Sequence, residues 1–136
     1  MKTFVISHEN ELSSVIDFLK KNYPNSKIFL LKGDLGAGKT TFVKYFVQSI
    51  EPDYPVQSPT FNLVNIYQLK KLTVLHVDLY RLNSPEQVQE AGIPDILPTA
   101  NYVFVEWYEH ILPWISEAVM IHIQQEKDKR IIEIFP

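Results

Sequence analysis

Cysteine is absent from the 136 residues of this chain. Its absence excludes disulfide bonds, zinc sites built from thiolates and cysteine nucleophiles. Arginine is scarce as well, and Arg81 and Arg130 are the two examples. The candidate catalytic groups are therefore lysines, carboxylates, hydroxyls and backbone N–H groups.

Long hydrophobic runs are also missing. None approaches the roughly 18 residues that a membrane-spanning helix needs. Met1-Lys2-Thr3 leads into a strand-like segment instead of the apolar core of a signal peptide. We therefore expect a soluble protein of the cytoplasm.

An excess of positive charge is lacking too, since the formal net charge is −3. Proteins that hold nucleic acid on their own usually present a basic surface. Any role with RNA is therefore expected to run through a partner protein. The length of 136 residues, 46% of them hydrophobic, predicts a single domain over residues 1–136 with one core.

Glycine occurs four times, and three of the four lie between positions 33 and 38. The stretch Gly33-Asp34-Leu35-Gly36-Ala37-Gly38-Lys39-Thr40 matches the phosphate-binding loop G-x-x-x-x-G-K-[S/T] at every defined position. In such a loop, backbone N–H groups and the start of the next helix surround phosphate oxygens. We predict that the nucleotide contacts a run of eight residues: Asp34, Leu35, Gly36, Ala37, Gly38, Lys39, Thr40 and Thr41.

The flanking sequence has the order that this motif requires. Residues 28–31 are an apolar run typical of a buried parallel strand, and an apolar stripe at helical spacing follows Thr41. Lys39 is expected to reach the outer phosphates and Thr40 a magnesium ion. Strands and helices alternate along this half of the chain, which predicts an α/β fold.

Further elements are predicted from local patterns. Ser7 and Ser84 are both placed to cap helices, and Gln87 can complete a capping box with Ser84. Two strand-like segments separated by Lys70-Lys71 predict a hairpin, and residues 118–123 and 130–135 alternate as two more strands.

Two carboxylates follow strand-like segments. Asp78 ends the segment His76-Val77-Asp78, and Glu106 follows the apolar run of residues 102–105. A phosphate loop works with a carboxylate on the magnesium side. One of the two is expected to hold the metal while the other orients the attacking water or a partner group, and the sequence leaves their roles open. We interpret His76 and Trp107 as packing groups.

Thr60 lies beside Pro59 in a proline-rich stretch between the predicted nucleotide helix and the next strand. In other NTPases a loop at this position switches with the state of the outer phosphate. Thr60 is therefore a further candidate catalytic residue.

Four stretches together resemble the bacterial TsaE (YjeE) family. They are the loop from Gly33 to Thr41, Ser58-Pro59-Thr60-Phe61, the segment from His76 to Arg81, and Val105-Glu106-Trp107. The likeness extends over essentially the full chain, and the combination in this order is specific.

The resemblance implies a three-layer P-loop NTPase fold in which helices flank a mixed parallel and antiparallel sheet. It implies ATP and Mg²⁺ as ligands, slow hydrolysis by the isolated protein, and work in a complex with TsaB and TsaD that forms threonylcarbamoyladenosine in tRNA. The tRNA would be met only through that complex. Lys39 would then contact phosphates, Thr40 and Glu106 serve the metal, Asp78 support the metal or the water, and Thr60 belong to a switch-like segment.

Other functions remain open from the residues alone. The same loop opens many small-molecule kinases, although two arginines are few for a lid that encloses phosphates. A nucleotide sensor without turnover is a further alternative. A regulatory GTPase is disfavoured because the chain contains no Asn-Lys-x-Asp motif.

Overall fold

The structure is a computed structural model that describes residues 1–34, 36–56 and 62–136. Leu35 of the predicted loop and the segment 58–61, with Thr60, lie outside the described residues. Seven strands form one sheet: β1 (Lys2–Ile6), β2 (Ile28–Lys32), β3 (Val64–Gln68), β4 (Thr73–Asp78), β5 (Tyr102–Glu106), β6 (Val119–Glu126) and β7 (Lys129–Phe135).

The strands are ordered β1-β7-β6-β2-β5-β4-β3. The four central strands β6, β2, β5 and β4 are parallel, whereas β3, β7 and β1 pair antiparallel at the two sides. The expected mixed sheet is therefore confirmed. Because the central strands are parallel, the ends of β2, β4 and β5 meet at one edge of the sheet, where ligands bind in open α/β sheets.

Helices cover both faces. On one face α1 (Leu12–Asn22) packs beside α2 (Lys39–Ile50), and on the other lie α3 (Pro85–Glu90), α4 (Ile93–Ile96) and a 3₁₀ helix, Tyr108–Trp114. Shorter 3₁₀ turns occupy Glu9–Glu11 and Leu97–Thr99. Within the described ranges, no helix combines the length and the apolar character needed to cross a membrane.

β2 is a continuous apolar run because it lies at the centre of the sheet and is buried on both faces. Leu30 packs into the core on the α3 side, while Phe29 and Leu31 pack into the core beneath α1 and α2. The Phe29 ring stacks on Phe104 of β5 with centroids 5.1 Å apart, and Phe46 of α2 meets Phe104 edge-on at 4.8 Å. This aromatic packing holds α2 against the strands whose ends carry the candidate site.

Both predicted strand pairs are hairpins. Leu69 N–H donates to the carbonyl of Leu72 at 2.8 Å, so Lys70-Lys71 form the first turn. At the second turn Glu126 pairs with Lys129, and Lys127 adopts a positive φ of 57°. A positive φ is typical of tight hairpin turns, and here a lysine adopts it in place of glycine.

The two predicted caps have different outcomes. Ser84 caps α3 as expected, accepting the Gln87 N–H at 3.2 Å, although the Gln87 side chain accepts from the N–H of Asn83 instead of from Ser84. The prediction for Ser7 is wrong. His8 occupies the cap position of the 3₁₀ turn Glu9–Glu11 and makes no side-chain capping bond. The Ser7 N–H donates to the Glu11 carboxylate.

Candidate nucleotide-binding site

The loop between β2 and α2 begins where β2 leaves the centre of the sheet. Gly38 stands directly before the first residue of α2 with φ of 110°, and Gly36 has φ of 81°. Both values lie in the region that favours glycine. The Ala37 N–H donates to the carbonyl of Asp34 at 3.0 Å, which closes the loop into a tight turn. Thr40 and Thr41 lie half-buried in the first turn of α2.

Gly33 is required by a close approach of β6. A Cβ atom added to Gly33 would lie 2.5 Å from the backbone carbonyl oxygen of Ile123. A backbone oxygen cannot move aside as a side chain can, so this glycine lets the start of the loop pack directly on β6.

We expect Gly33→Ala to lower the free energy of unfolding by about 1–3 kcal/mol, the usual cost of overpacking. Gly36→Ala is the matched control because no described residue lies within 4 Å of its added Cβ, so it carries only the cost of a positive φ, about 1 kcal/mol. Urea denaturation of both variants makes the comparison. A Gly33→Ala variant no less stable than Gly36→Ala would contradict the close packing.

Lys39 is held across the mouth of the loop. Its ammonium donates to the carbonyl of Gly33 at 2.6 Å, lies 3.6 Å from Glu106 Oε1, and sits 4.7 Å from the centre of the Trp107 ring. The side chain is only 6% exposed. A lysine buried among a carbonyl, a carboxylate and an aromatic face presents a localised positive charge where phosphate oxygens are expected.

The two predicted carboxylates do lie together. Asp78 and Glu106 end neighbouring parallel strands and stand opposite each other in the β4–β5 register. Glu106 is 5% exposed and meets His76 Nε2 through Oε2 at 2.5 Å. Asp78 is half-buried, and its Oδ1 accepts the Tyr80 N–H at 3.0 Å. The structure thus brings together Lys39, Asp78 and Glu106 from three separate stretches.

Burial raises the pKa of Asp78 above its ordinary value of 3.8, and the negative charge of Glu106 raises it further. The Tyr80 N–H, His76 and Lys39 act in the opposite direction. Because the ionised form is disfavoured in the folded protein, stability is lost as the pH rises from the unfolded pKa through the raised folded pKa.

Asp78→Asn is therefore expected to raise the free energy of unfolding of the ligand-free protein at neutral pH, by at most about 1 kcal/mol after allowance for solvent screening. The gain should shrink towards ~pH 4, where the wild-type carboxyl takes up its proton. Urea denaturation at the two pH values measures it, with Asp95→Asn at an exposed position as the control. A variant less stable than wild type at neutral pH would contradict this.

His76 belongs to the site, and the packing role predicted for it was incomplete. Apart from tyrosines, the buried polar side chains among the described residues are Lys39, His76 and Glu106. Glu106 contacts both of the others, Lys39 through Oε1 and His76 through Oε2. Polar groups are seldom fully buried without a partner or a function. The signal in the sequence was the polar residue in the otherwise apolar strand of residues 74–77.

Trp107 also contributes more than packing. It adopts φ of 54° and ψ of 54°, an uncommon conformation for a bulky residue. Its ring contacts both the Lys39 ammonium and the exposed ring of Tyr80, whose centroid is 5.0 Å away. Uncommon backbone conformations concentrate at functional sites.

Arg130, which the sequence offered only as one of two arginines, lies beside the loop. Its guanidinium would be 3.2 Å from a Cβ on Gly38, and its Nε donates to Gln125 Oε1 at 3.1 Å. No sequence pattern indicated that the Arg130 guanidinium lies beside the loop, because β7 reaches this position only through its hairpin with β6.

A cleft of about 660 Å³ opens next to the loop. Its walls are the start of the loop, the segment Trp107–Glu109 and the last residues of β6. Among the residues described, no group of three His, Asp or Glu side chains forms a complete metal site. Magnesium is usually held by one or two carboxylates together with substrate phosphates, and the hydroxyl of Thr40 with the carboxylates of Glu106 and Asp78 supplies donors of that type.

These features define a mixed-sheet α/β protein with a phosphate-loop sequence at the carboxyl edge of its central strands. Comparison with known proteins gives the family. The model of the family described as threonylcarbamoyl adenosine biosynthesis protein TsaE matches residues 6–132. The chain belongs to the TsaE family, and the role of this family is in the biosynthesis of threonylcarbamoyladenosine in tRNA.

Individual relatives support the same family. The chain is 39% identical over 136 residues to the tRNA threonylcarbamoyladenosine biosynthesis protein TsaE of Rickettsia conorii, covering 95% of this chain and 75% of that protein. It is 30% identical over 138 residues to the protein of the same name from Aquifex aeolicus, covering 99% and 96%. Its fold is similar to the crystal structure of Bacillus subtilis YdiB, with a TM-score of 0.69, 24% identity, and coverage of 96% and 82%.

Proposed function

We propose that this protein is an ATPase that binds Mg-ATP at residues 34–41 and acts in the cytoplasm as a subunit of a complex with TsaB and TsaD. In that complex TsaD transfers the threonylcarbamoyl group to an adenosine beside the anticodon of tRNA. ATP turnover resets the complex between rounds and does not supply the transferred group. The isolated protein hydrolyses ATP slowly.

The observation that carries this proposal is the buried cluster of Lys39, Glu106 and His76 beside a loop of phosphate-binding sequence. Burying an ammonium and a carboxylate costs free energy that a purely structural role recovers poorly. A lysine and a carboxylate that meet at the edge of a parallel sheet, with the threonine Thr40 next to the lysine in α2, suit a ligand that carries negative phosphates and a divalent cation.

The roles proposed for the side chains are those that the family resemblance implies. Lys39 binds the outer phosphates, Thr40 and Glu106 hold Mg²⁺, and Asp78 supports the metal or orients the water. Magnesium, when bound, neutralises charge on the phosphate oxygens. Thr60 remains a proposed member of a switch-like segment.

The proposal is tested by measuring ATP hydrolysis by the isolated protein and again after addition of purified TsaB and TsaD. We expect a slow rate alone and a clear stimulation by the two partners together. GTP in place of ATP shows whether the site prefers adenine, and a Lys39→Ala protein in the same mixture shows whether the added rate belongs to this chain. Absence of stimulation would contradict the partner-dependent ATPase and favour a nucleotide sensor.

A further inference from the structure

His76 lies at the centre of β4 with none of its surface exposed. It stands opposite Phe104 in the register of β4 with β5, so Glu106 lies two residues further along the neighbouring strand, on the same face of the sheet. The imidazole reaches along this face to the carboxylate, and Nε2 meets Glu106 Oε2 at 2.5 Å. The contact joins β4 and β5 near the edge of the sheet that carries the phosphate loop. Oε1 of Glu106 faces Lys39 at the start of α2.

The polarity of this hydrogen bond follows from the acceptor. Carboxylate oxygens accept hydrogen bonds, and we therefore assign the Nε2–H tautomer to His76, with Nε2–H as the donor to Oε2. The other ring nitrogen, Nδ1, is buried and has no hydrogen-bond partner among the residues that the structure describes. Among the described residues, Glu106 is therefore the one hydrogen-bond partner of the imidazole. Without Glu106 the Nε2–H group would be buried without an acceptor, which costs free energy.

The bond also determines where the second oxygen of Glu106 points. A glutamate side chain has three rotatable bonds, and a free carboxylate can exchange its two oxygens. With Oε2 bound to His76, Oε1 faces Lys39 at 3.6 Å and therefore faces the mouth of the phosphate loop. A histidine that merely filled the core would leave the direction of Glu106 undetermined.

We propose that His76 is a positioning residue that holds Glu106 in one orientation, with Oε1 presented to Lys39 and to the cation that accompanies the phosphates. The part that concerns the cation rests on the proposed function, whereas the orientation of Glu106 does not. Partners behind a metal-binding side chain are known to matter, and their loss typically weakens metal affinity or activity by about 10–100-fold.

Two substitutions separate the hydrogen bond from the volume of the side chain. His76→Leu removes the donor, and His76→Gln keeps an N–H donor at a similar reach from the backbone. Val74→Ala serves as the matched control because Val74 is fully buried on the same strand, packs in the α1 and α2 core, and lies four residues from Asp78, the register partner of Glu106. An effect that comes only from loss of stability should then appear in Val74→Ala as well.

The first measurement is the ligand-free crystal structure of each variant. We expect Glu106 to leave ion-pair distance of Lys39 in His76→Leu and to keep it in His76→Gln and Val74→Ala. Glu106 in its wild-type orientation in His76→Leu would overturn the proposal. If His76→Leu does not fold, ¹⁵N spectra of wild-type histidines decide, since the proposal requires the proton on Nε2 of His76 and a proton on Nδ1 alone would overturn it.

The second measurement is the Mg²⁺ concentration that gives half-maximal ATP hydrolysis. His76→Leu should raise it by about 10-fold or more, with recovery in His76→Gln and no change in Val74→Ala, while ATP affinity in the presence of EDTA stays the same. If Glu106 moves in His76→Leu but neither this variant nor Glu106→Gln changes the Mg²⁺ requirement, the orientation is supported and the metal role proposed for Glu106 fails.

Discussion

Replacement of Lys39 by alanine should lower ATP hydrolysis by on the order of 100-fold or more, because the positive charge at the developing phosphate charge is lost. The side chain already points across the loop, held by Gly33 and Glu106. No other lysine takes part in this cluster among the described residues. Hydrolysis by the purified variant and its affinity for ATP by calorimetry measure the effect.

The control for Lys39→Ala is Lys44→Ala, an exposed lysine on the same helix. It should retain wild-type affinity and hydrolysis, which shows that loss of one positive charge from α2 is not sufficient. Thermal unfolding of both variants shows that they are folded. A Lys39→Ala protein that still supported tRNA modification at the wild-type level would contradict the assigned role.

Glu106→Gln is expected to reduce hydrolysis by a similar factor, on the order of 100-fold, for a different reason. Glutamine keeps the size of the side chain but removes the negative charge that faces Lys39 and that we propose attracts the cation. ATP affinity in EDTA should change little, while the dependence of binding and hydrolysis on Mg²⁺ should weaken. A titration with Mg²⁺ separates this variant from Lys39→Ala.

An exposed glutamate on α3, Glu90, provides the control for charge removal, and Glu90→Gln should behave as wild type. Asp78→Ala completes the comparison of the two carboxylates. If Asp78→Ala and Glu106→Ala both left partner-stimulated hydrolysis unchanged, the catalytic assignment would be wrong and a sensor without turnover would fit better.

Much of the fold could be predicted because local patterns and tertiary packing agree. The apolar runs before Gly33 and before Glu106 form the buried central strands β2 and β5, since a parallel sheet covered on both faces needs apolar residues throughout. The three glycines of the loop take the positions that close packing or positive φ require. The candidate acids Asp78 and Glu106 were found because each follows such a strand.

Other parts depend on contacts between distant segments. The 3₁₀ helix Tyr108–Trp114 contains a proline and follows a residue with positive φ, so no helical periodicity marks it, and it is held by packing on α3. His76 reads as a core residue until β4 and β5 are placed in register. Arg130 comes near Gly38 only because β7 folds back beside β6. Strand pairing determines the positions of His76 and Arg130, and packing between helices determines that of the 3₁₀ helix. Single-sequence patterns contain neither.

The most direct test of the account counts rounds of tRNA modification. This protein, TsaB and TsaD are mixed with tRNA and a preformed threonylcarbamoyl donor, and the modified adenosine formed per complex is measured with ATP and with a non-hydrolysable ATP analogue. We predict many rounds with ATP and about one with the analogue, as the proposed resetting of the complex by turnover at Lys39 and Glu106 requires. Equal numbers of rounds under the two conditions would contradict that claim.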